Sequence, residues 1–157
     1  SITFKLNALE DEEVILSLYR AAQAGVRIQG VVRGICRMIP GVPGWSDDVH
    51  LRSVVDRYLE HGRVYAFGNG GDPLVYLASA DWMHRNLSRR VEVAFPVRDH
   101  ELRAHVLSIL ELQLADNRKA RILDGEGLNR YADGGGPPLR SQEAIRQRLA
   151  HLQPTTP

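Results

Sequence analysis

His61 stands in the run Tyr58-Leu59-Glu60-His61-Gly62-Arg63-Val64-Tyr65, just ahead of a β-rich stretch. If Gly62 continues an extended chain, His61 and Arg63 fall on the same face, because side chains alternate along a strand. An imidazole beside a fixed cation makes a phosphate site. The guanidinium neutralises charge while the imidazole attacks, donates a proton or hydrogen-bonds. The plain alternative is a surface or structural histidine. Arg33 closes a second β-rich run, Val26 to Val32, and leads into a Gly/Pro-rich loop. Ligands of α/β sheets gather at the carboxyl ends of strands. Arg33 is therefore either a phosphate clamp or a surface arginine paired with a carboxylate. Arg89 and Arg90 open the run Val91-Glu92-Val93 and put two guanidiniums near one strand edge.

Other clusters are weaker. Gly68-Asn69-Gly70-Gly71 could offer backbone N–H groups to a phosphate. It lacks the Lys-Ser/Thr of a P-loop and the helix of a dinucleotide fingerprint, and reads as a hairpin turn. Ser79 to Asn86 reads as a polar strand-end loop with Trp82 packed in the core. Asp47-Asp48-Val49-His50 has no third ligand at recognisable spacing, so no metal site is assigned. His84, His100, His105 and His151 have no constellation around them, and His105 is placed on a solvated helix flank.

The scaffold follows from patterning. Residues 2–7 read as a strand. Asp11 caps a helix with Glu12 and Glu13 in its first turn, where the dipole favours anions, and Gly25 closes it. Leu51 to Leu59 is open between strand and short helix. Val64 to Phe67 and Leu74 to Ala78 are strands about the glycine turn, and Val91 to Phe95 is another. Asp99 caps a helix to about Asp116, with Leu102, Val106, Ile109 and Leu110 on one apolar face that Leu107 and Leu114 widen. Ala120 to Leu123 is a last strand. Residues 132–138 form a flexible connection, and Ser141 caps a terminal helix through Leu149. The expected fold is α/β, a mixed sheet flanked by helices. The body of the domain spans 1–131, and 132–157 holds the flexible connection and terminal helix of the same domain.

At 157 residues the chain forms one domain with a sizeable core. Its 43% hydrophobic and 25% charged residues are those of a soluble globular protein. A net charge of +1 gives no global attraction to nucleic acid or anionic membrane. Lys5 and Lys119 are the only lysines among 20 cations. Genome composition accounts for that bias as well as function does, although arginine forks suit bidentate phosphate binding. The single Cys36 excludes an internal disulfide, and no run of apolar residues is long enough to span a membrane. The chain opens as a strand in progress, without a signal-peptide pattern, and is expected to be a piece of a longer protein.

Together these pieces resemble the bacterial-type polyphosphate kinase family. The matching text includes Lys5-Leu6-Asn7, Val32-Arg33-Gly34-Ile35-Cys36, Pro40-Gly41-Val42-Pro43-Gly44 and Tyr58-Leu59-Glu60-His61. It continues through Phe67-Gly68-Asn69-Gly70-Gly71-Asp72, Ser79-Ala80-Asp81-Trp82-Met83, Arg89-Arg90-Val91-Glu92-Val93 and Gln113-Leu114-Ala115-Asp116-Asn117. Order and spacing match from about residue 2 to 123, and the tail from Arg140 looks like the family's final helix.

The resemblance implies the second of two phospholipase-D-like core domains, with Arg33 and His61 on nucleotide phosphates. Arg63, Lys5, Arg89 and Arg90 stand further along the anion path. It implies ATP, ADP and polyphosphate as partners, with no nucleic acid. Mg2+ is expected to be bound by ATP and by the first core domain, which also carries the phosphorylated histidine. It implies a homo-oligomer when full length, located in the cytoplasm or associated with a membrane. The segment His61-Gly62-Arg63 departs from the phosphodiesterase pattern His-x-Lys, Gly68 stands where that pattern has an acid, and Ser79 with Asp81 matches its Gly-Ser-x-Asn only loosely. A self-complementing homodimeric phosphodiesterase and a non-catalytic polyphosphate- or nucleotide-binding module remain as alternatives.

Overall fold

A computed structural model describes residues 1–150. His151 and the end of the 132–157 segment lie outside the described residues. The elements run β1 (Ile2–Leu6), α1 (Glu12–Gln23), β2 (Ile28–Val32), β3 (Val49–Val54), β4 (Arg63–Phe67), β5 (Leu74–Ala78), α2 (His84–Arg89), β6 (Ala94–Pro96), α3 (His100–Ala115), β7 (Ala120–Leu123) and α4 (Ser141–Ala150). The strands form one seven-stranded mixed sheet in the order β6-β5-β4-β1-β2-β3-β7. The pairs β1–β2 and β2–β3 are parallel and the rest antiparallel.

Strand alternation sorts the core into two faces. Phe4, Leu6, Ile28, Val32, Val49 and Leu51 turn to one face and pack under Ile15 and Leu18 of α1, with Trp82. Trp82 packs against the rings of Phe4 and Tyr65, as the sequence suggested. Val31, Val54 and Ala120 turn to the other face, beneath Leu114 of α3, and Ala66 and Val75 meet Leu110. Gly30 lets Phe4 lie across β2: a Cβ there would meet the Phe4 ring at 2.3 Å and Leu51 at 2.8 Å.

The caps explain the helix starts. Asp11 Oδ1 accepts from the Val14 N–H at 3.0 Å, and Asp99 Oδ1 from Glu101 and Leu102 N–H, both at 2.9 Å. Both caps were readable from sequence. Four expectations need correction. The ambiguous 51–59 segment divides into β3, which starts earlier at Val49, and an irregular loop. The strand expected over 91–95 pairs regularly only from Ala94, the partner of Ala78 at the end of β5, and Val91 lies 98% exposed. The loop expected after Trp82 contains α2, whose run His84-Arg85-Asn86-Leu87-Ser88-Arg89 lacks an apolar period and buries only Asn86. On α3, Val106, Leu107, Leu110 and Leu114 face the core as expected, but Leu102 is exposed, and His105, placed on a solvated flank, is half-buried with Nε2 lacking a partner among the described residues.

Candidate functional site

The parallel strands β1 and β2 end together at Leu6 and Val32, and the chain leaves them at Asn7 and Arg33. Since β4 runs antiparallel to β1, and β5 to β4, the start of β4 and the end of β5 reach that same edge. Topology therefore collects Asn7, Arg33, His61–Arg63 and Ser79–Asp81 at one carboxyl edge. The Gly68–Gly71 turn and Asp47–His50 lie at the opposite edge, remote from His61.

Asp81 organises the cluster. Its Oδ1 accepts from the backbone N–H of Asn7 at 2.7 Å and of Ala8 at 3.2 Å, and from Asn7 Nδ2 at 3.3 Å. Its Oδ2 accepts from Arg63 Nη2 at 2.8 Å, an ion pair with little exposure on either side. Burial opposes the charge, but the Arg63 guanidinium and the two backbone N–H groups outweigh it, holding the carboxyl below its ordinary value. Arg63 Nη1 donates to the His61 carbonyl at 2.9 Å, and the guanidinium lies 3.1 and 3.2 Å from Nδ1 and Nε2 of the His61 ring. Arginine only donates and neutral imidazole has one acceptor, so at most one of these ring contacts is a hydrogen bond. The ring is thus seated against Arg63 while staying exposed.

Arg33 joins the network from the other side, its Nε donating to Asn7 Oδ1 at 3.0 Å. Its terminal N–H groups engage no protein group, and no carboxylate lies within ion-pair distance among the described residues. The alternative of a carboxylate-paired surface arginine is not what the fold builds. Arg33, Asn7, Asp81, Arg63 and His61 form one continuous polar chain.

The loop delivering His61 is fastened along its length. Arg140 makes a bidentate pair with Asp56, both contacts 2.7 Å. Gln142 pairs reciprocally with Tyr58: Tyr58 N–H donates to Gln142 Oε1, and Gln142 Nε2 to the Tyr58 carbonyl, each at 2.8 Å. Gln113 Nε2 donates to Glu60 Oε1 at 3.0 Å. Lys5 is buried and donates to the carbonyls of Glu60 at 3.0 Å and Gly62 at 3.1 Å. Burial pushes its ammonium below the ordinary lysine value, with Glu60 opposing. Lys5 thus holds the loop's backbone at the cluster. Ser141, expected to cap α4, instead donates N–H and Oγ to buried Asp116 Oδ2, both at 2.7 Å, which locks α4 to the end of α3.

Arg90 and Arg89 stand apart from this chain. Arg90 Nε lies 3.6 Å from Glu92, whose carboxylate accepts from the Ser79 hydroxyl and from Asn86 Nδ2. Those two bonds hold the Glu92 carboxyl below its ordinary value. Arg89 is exposed with no partner among the described residues. No group of three or more potential metal-ligating side chains converges among the described residues. Burial pushes the Cys36 thiol up to about 11, which leaves it protonated and unreactive near neutral pH.

Sequence reasoning named His61, Arg63 and Arg33 but not Asn7 or the hub role of Asp81. A signal existed. Asp81 stands two residues after Ser79 at a strand's end, where a polar side chain reaches the sheet edge.

Against known proteins, the profile described as "Polyphosphate kinase C-terminal domain 2" matches residues 1–142. A polyphosphate kinase of Yersinia pestis is 49% identical over 153 residues, covering 97% of this chain and 22% of that relative. The crystal structure of polyphosphate kinase from Porphyromonas gingivalis superposes with a TM-score of 0.93 at 45% identity, over 99% of this chain and 24% of that one. A phospholipase D family member, Nuc from Salmonella typhimurium, matches with a TM-score of 0.59 at 15% identity, over 79% of this chain and 82% of that one, which shows the fold alone. The chain spans about a fifth of the length of the curated relatives it matches.

Proposed function

The chain belongs to the polyphosphate kinase C-terminal domain 2 family, and from that premise we propose that it supplies one half of a phosphoryl-transfer site acting between ATP and polyphosphate. The observation that carries the reading is the Arg33 guanidinium. It is held through Nε by Asn7, its terminal edge engages no protein group among the described residues, and it sits in the same network as an exposed His61. Such a fork matches the paired oxygens of a phosphate.

Arg33 clamps non-bridging phosphate oxygens of the nucleotide. His61 hydrogen-bonds, or donates a proton to, the phosphate oxygen that gains charge as ADP leaves. Arg63 orients His61, because Asp81 and the His61 carbonyl already occupy its terminal nitrogens. Overall, a terminal oxygen of polyphosphate displaces ADP from the γ-phosphorus of ATP. One P–O bond breaks as another forms, and the same site runs the reaction backwards. If the phosphoryl group rests on a histidine between the two halves of the reaction, that histidine belongs to the other core domain. Catalysis then rests on positioning and charge neutralisation.

The donor set at this edge is cationic, and Asp81 is engaged by Arg63 and Asn7. These residues do not fit a metal site, and the family resemblance implies magnesium on the nucleotide and on the other domain. In the whole enzyme, Arg33→Ala and His61→Ala should each lower synthesis from ATP by about a hundredfold or more, with thermal midpoint unchanged. Near-normal synthesis in either variant refutes the assignment. The 157-residue chain alone should form no polyphosphate. Hydrolysis of a generic phosphodiester by it would favour the self-complementing phosphodiesterase instead.

A further inference from the structure

A second cationic site lies on the same sheet edge. A pocket of about 330 Å³ is lined by Ser53, Val55, Lys119, Arg121, Asn129 and Tyr131. Ser53 and Arg121 are register partners near the end of the β3–β7 ladder. Ser53 Oγ donates to the Arg33 carbonyl at 3.0 Å, so the pocket begins at the residue that carries the proposed clamp. Its polar side chains are two cations, a hydroxyl, an amide and a phenol, without an acid.

Both cations are available. Arg121 is pre-oriented by two contacts that consume no charge. Its Nη1 donates to the Asn129 carbonyl at 2.7 Å, and its guanidinium lies over the Tyr131 ring at 3.9 Å. Lys119 is one of only two lysines in the chain, and its ammonium has no ion-pair partner among the described residues. Nearby Asp56 is already held bidentately by Arg140.

We propose that this pocket is a second phosphate subsite, taking units of a polyphosphate chain beyond those held at Arg33 and His61. The proposal rests on the half-site reading above. In the strand order, β7 lies two places from β2 and four from β4. At about 4.8 Å per strand, those intervals are roughly 10 Å and 19 Å. A linear polyphosphate laid along the edge crosses them and meets donors throughout. A single orthophosphate at Arg33 does not.

The test is calorimetric titration of this chain, at low salt, with long-chain inorganic polyphosphate, tripolyphosphate and ADP. Lys119→Gln should weaken long-chain binding about tenfold and Lys119→Glu further, with a shallower salt dependence as one phosphate contact is lost. Tripolyphosphate and ADP should stay within twofold. Lys119 is partly exposed with no side-chain partner among the described residues, so both variants should keep the parent thermal midpoint. Arg121→Gln provides an independent second probe with the same expected pattern. Unchanged long-chain affinity in Lys119→Glu overturns the subsite. So does an equal loss for ADP, which would give the pocket to the nucleotide. Arg33→Ala separates this proposal from the one beneath it. If it abolishes ADP and tripolyphosphate binding while Lys119→Glu changes nothing, only the subsite falls. If Arg33→Ala changes nothing while Lys119→Glu weakens the long chain, the half-site falls and the second site stands.

Discussion

Asp81 and Arg63 share an ion pair in which neither side chain is more than 13% exposed. A pair this sheltered is costly to break from one side, because the remaining charge stays buried. Asp81→Asn should therefore destabilise the chain by about 3–5 kcal/mol in urea unfolding. Removing the stranded cation as well, Asp81→Asn with Arg63→Met, should recover the part of that loss due to the unpaired guanidinium, since the introduced amide oxygen can still accept from the Asn7 and Ala8 N–H groups, without recovering activity in the whole enzyme. A stability loss below about 0.5 kcal/mol for Asp81→Asn would show that the pair is solvated and that the hub role is wrong. The sequence could name His61 and Arg63 because two residues of spacing on an extended chain put them on one face. It could not name Asn7, because its partner Asp81 lies 74 positions away and only the folded sheet brings them together.

At the scale of elements, α4 and the His61 loop form one unit. Gln142 mimics a backbone partner for Tyr58, and Asp116 gathers the N–H groups of Arg118, Lys119, Ala120 and Ser141. Gln142→Ala should leave α4 folded but free Tyr58 and its neighbours. In the whole enzyme that predicts a fall in kcat of about tenfold with little change in KM for ATP. The His61 ring resonances of the chain should broaden while those of His84 do not. An unaltered kcat with sharp His61 signals would mean that Lys5 and Gln113 suffice to place the loop. The long elements were legible because they carry regular signals: alternation in β1, β4 and β5, and acidic caps on α1 and α3. The α2 segment was not, because five of its six residues are polar, and all but Asn86 lie exposed, Leu87 included. The β6 boundary was missed for a related reason. Val91-Glu92-Val93 alternates like a strand, yet it runs past Ala78, where β5 ends, so regular pairing starts only at Ala94 and Val93 meets Ser79 through its carbonyl at 2.9 Å and, by its N–H, the Ser79 hydroxyl at 3.0 Å.

For the whole molecule, acid is the condition that should loosen the structure. Asp81 and Asp116 both have carboxyls below the ordinary aspartate value of 3.8 in the folded state. In each, burial pushes the other way and hydrogen bonds prevail: Arg63, Asn7 and Ala8 for Asp81, and Lys119, Ser141 and Arg118 for Asp116. A depressed folded value means that the unfolded chain takes up protons first. Their stabilisation is therefore complete above the ordinary value and drains as pH falls through the lower, folded values. The urea midpoint should be insensitive to these groups from about pH 5 to 7 and fall steeply below about pH 4. Asp116→Asn should be less stable at neutral pH and show a shallower acid limb. A wild-type midpoint that is the same at pH 3 and pH 6 would contradict the two carboxylates' role.

The central claim is that Arg33 and His61 grip one phosphate group between them. A crystal structure of the chain with bound tripolyphosphate tests it most directly. A phosphoryl group should be found whose oxygens take both terminal nitrogens of Arg33, within about 3.2 Å of a His61 ring nitrogen. Arg63 should still be on Asp81. An anion bound elsewhere, with Arg33 bare and the His61 ring turned away from it, would show that the two residues do not share a phosphate.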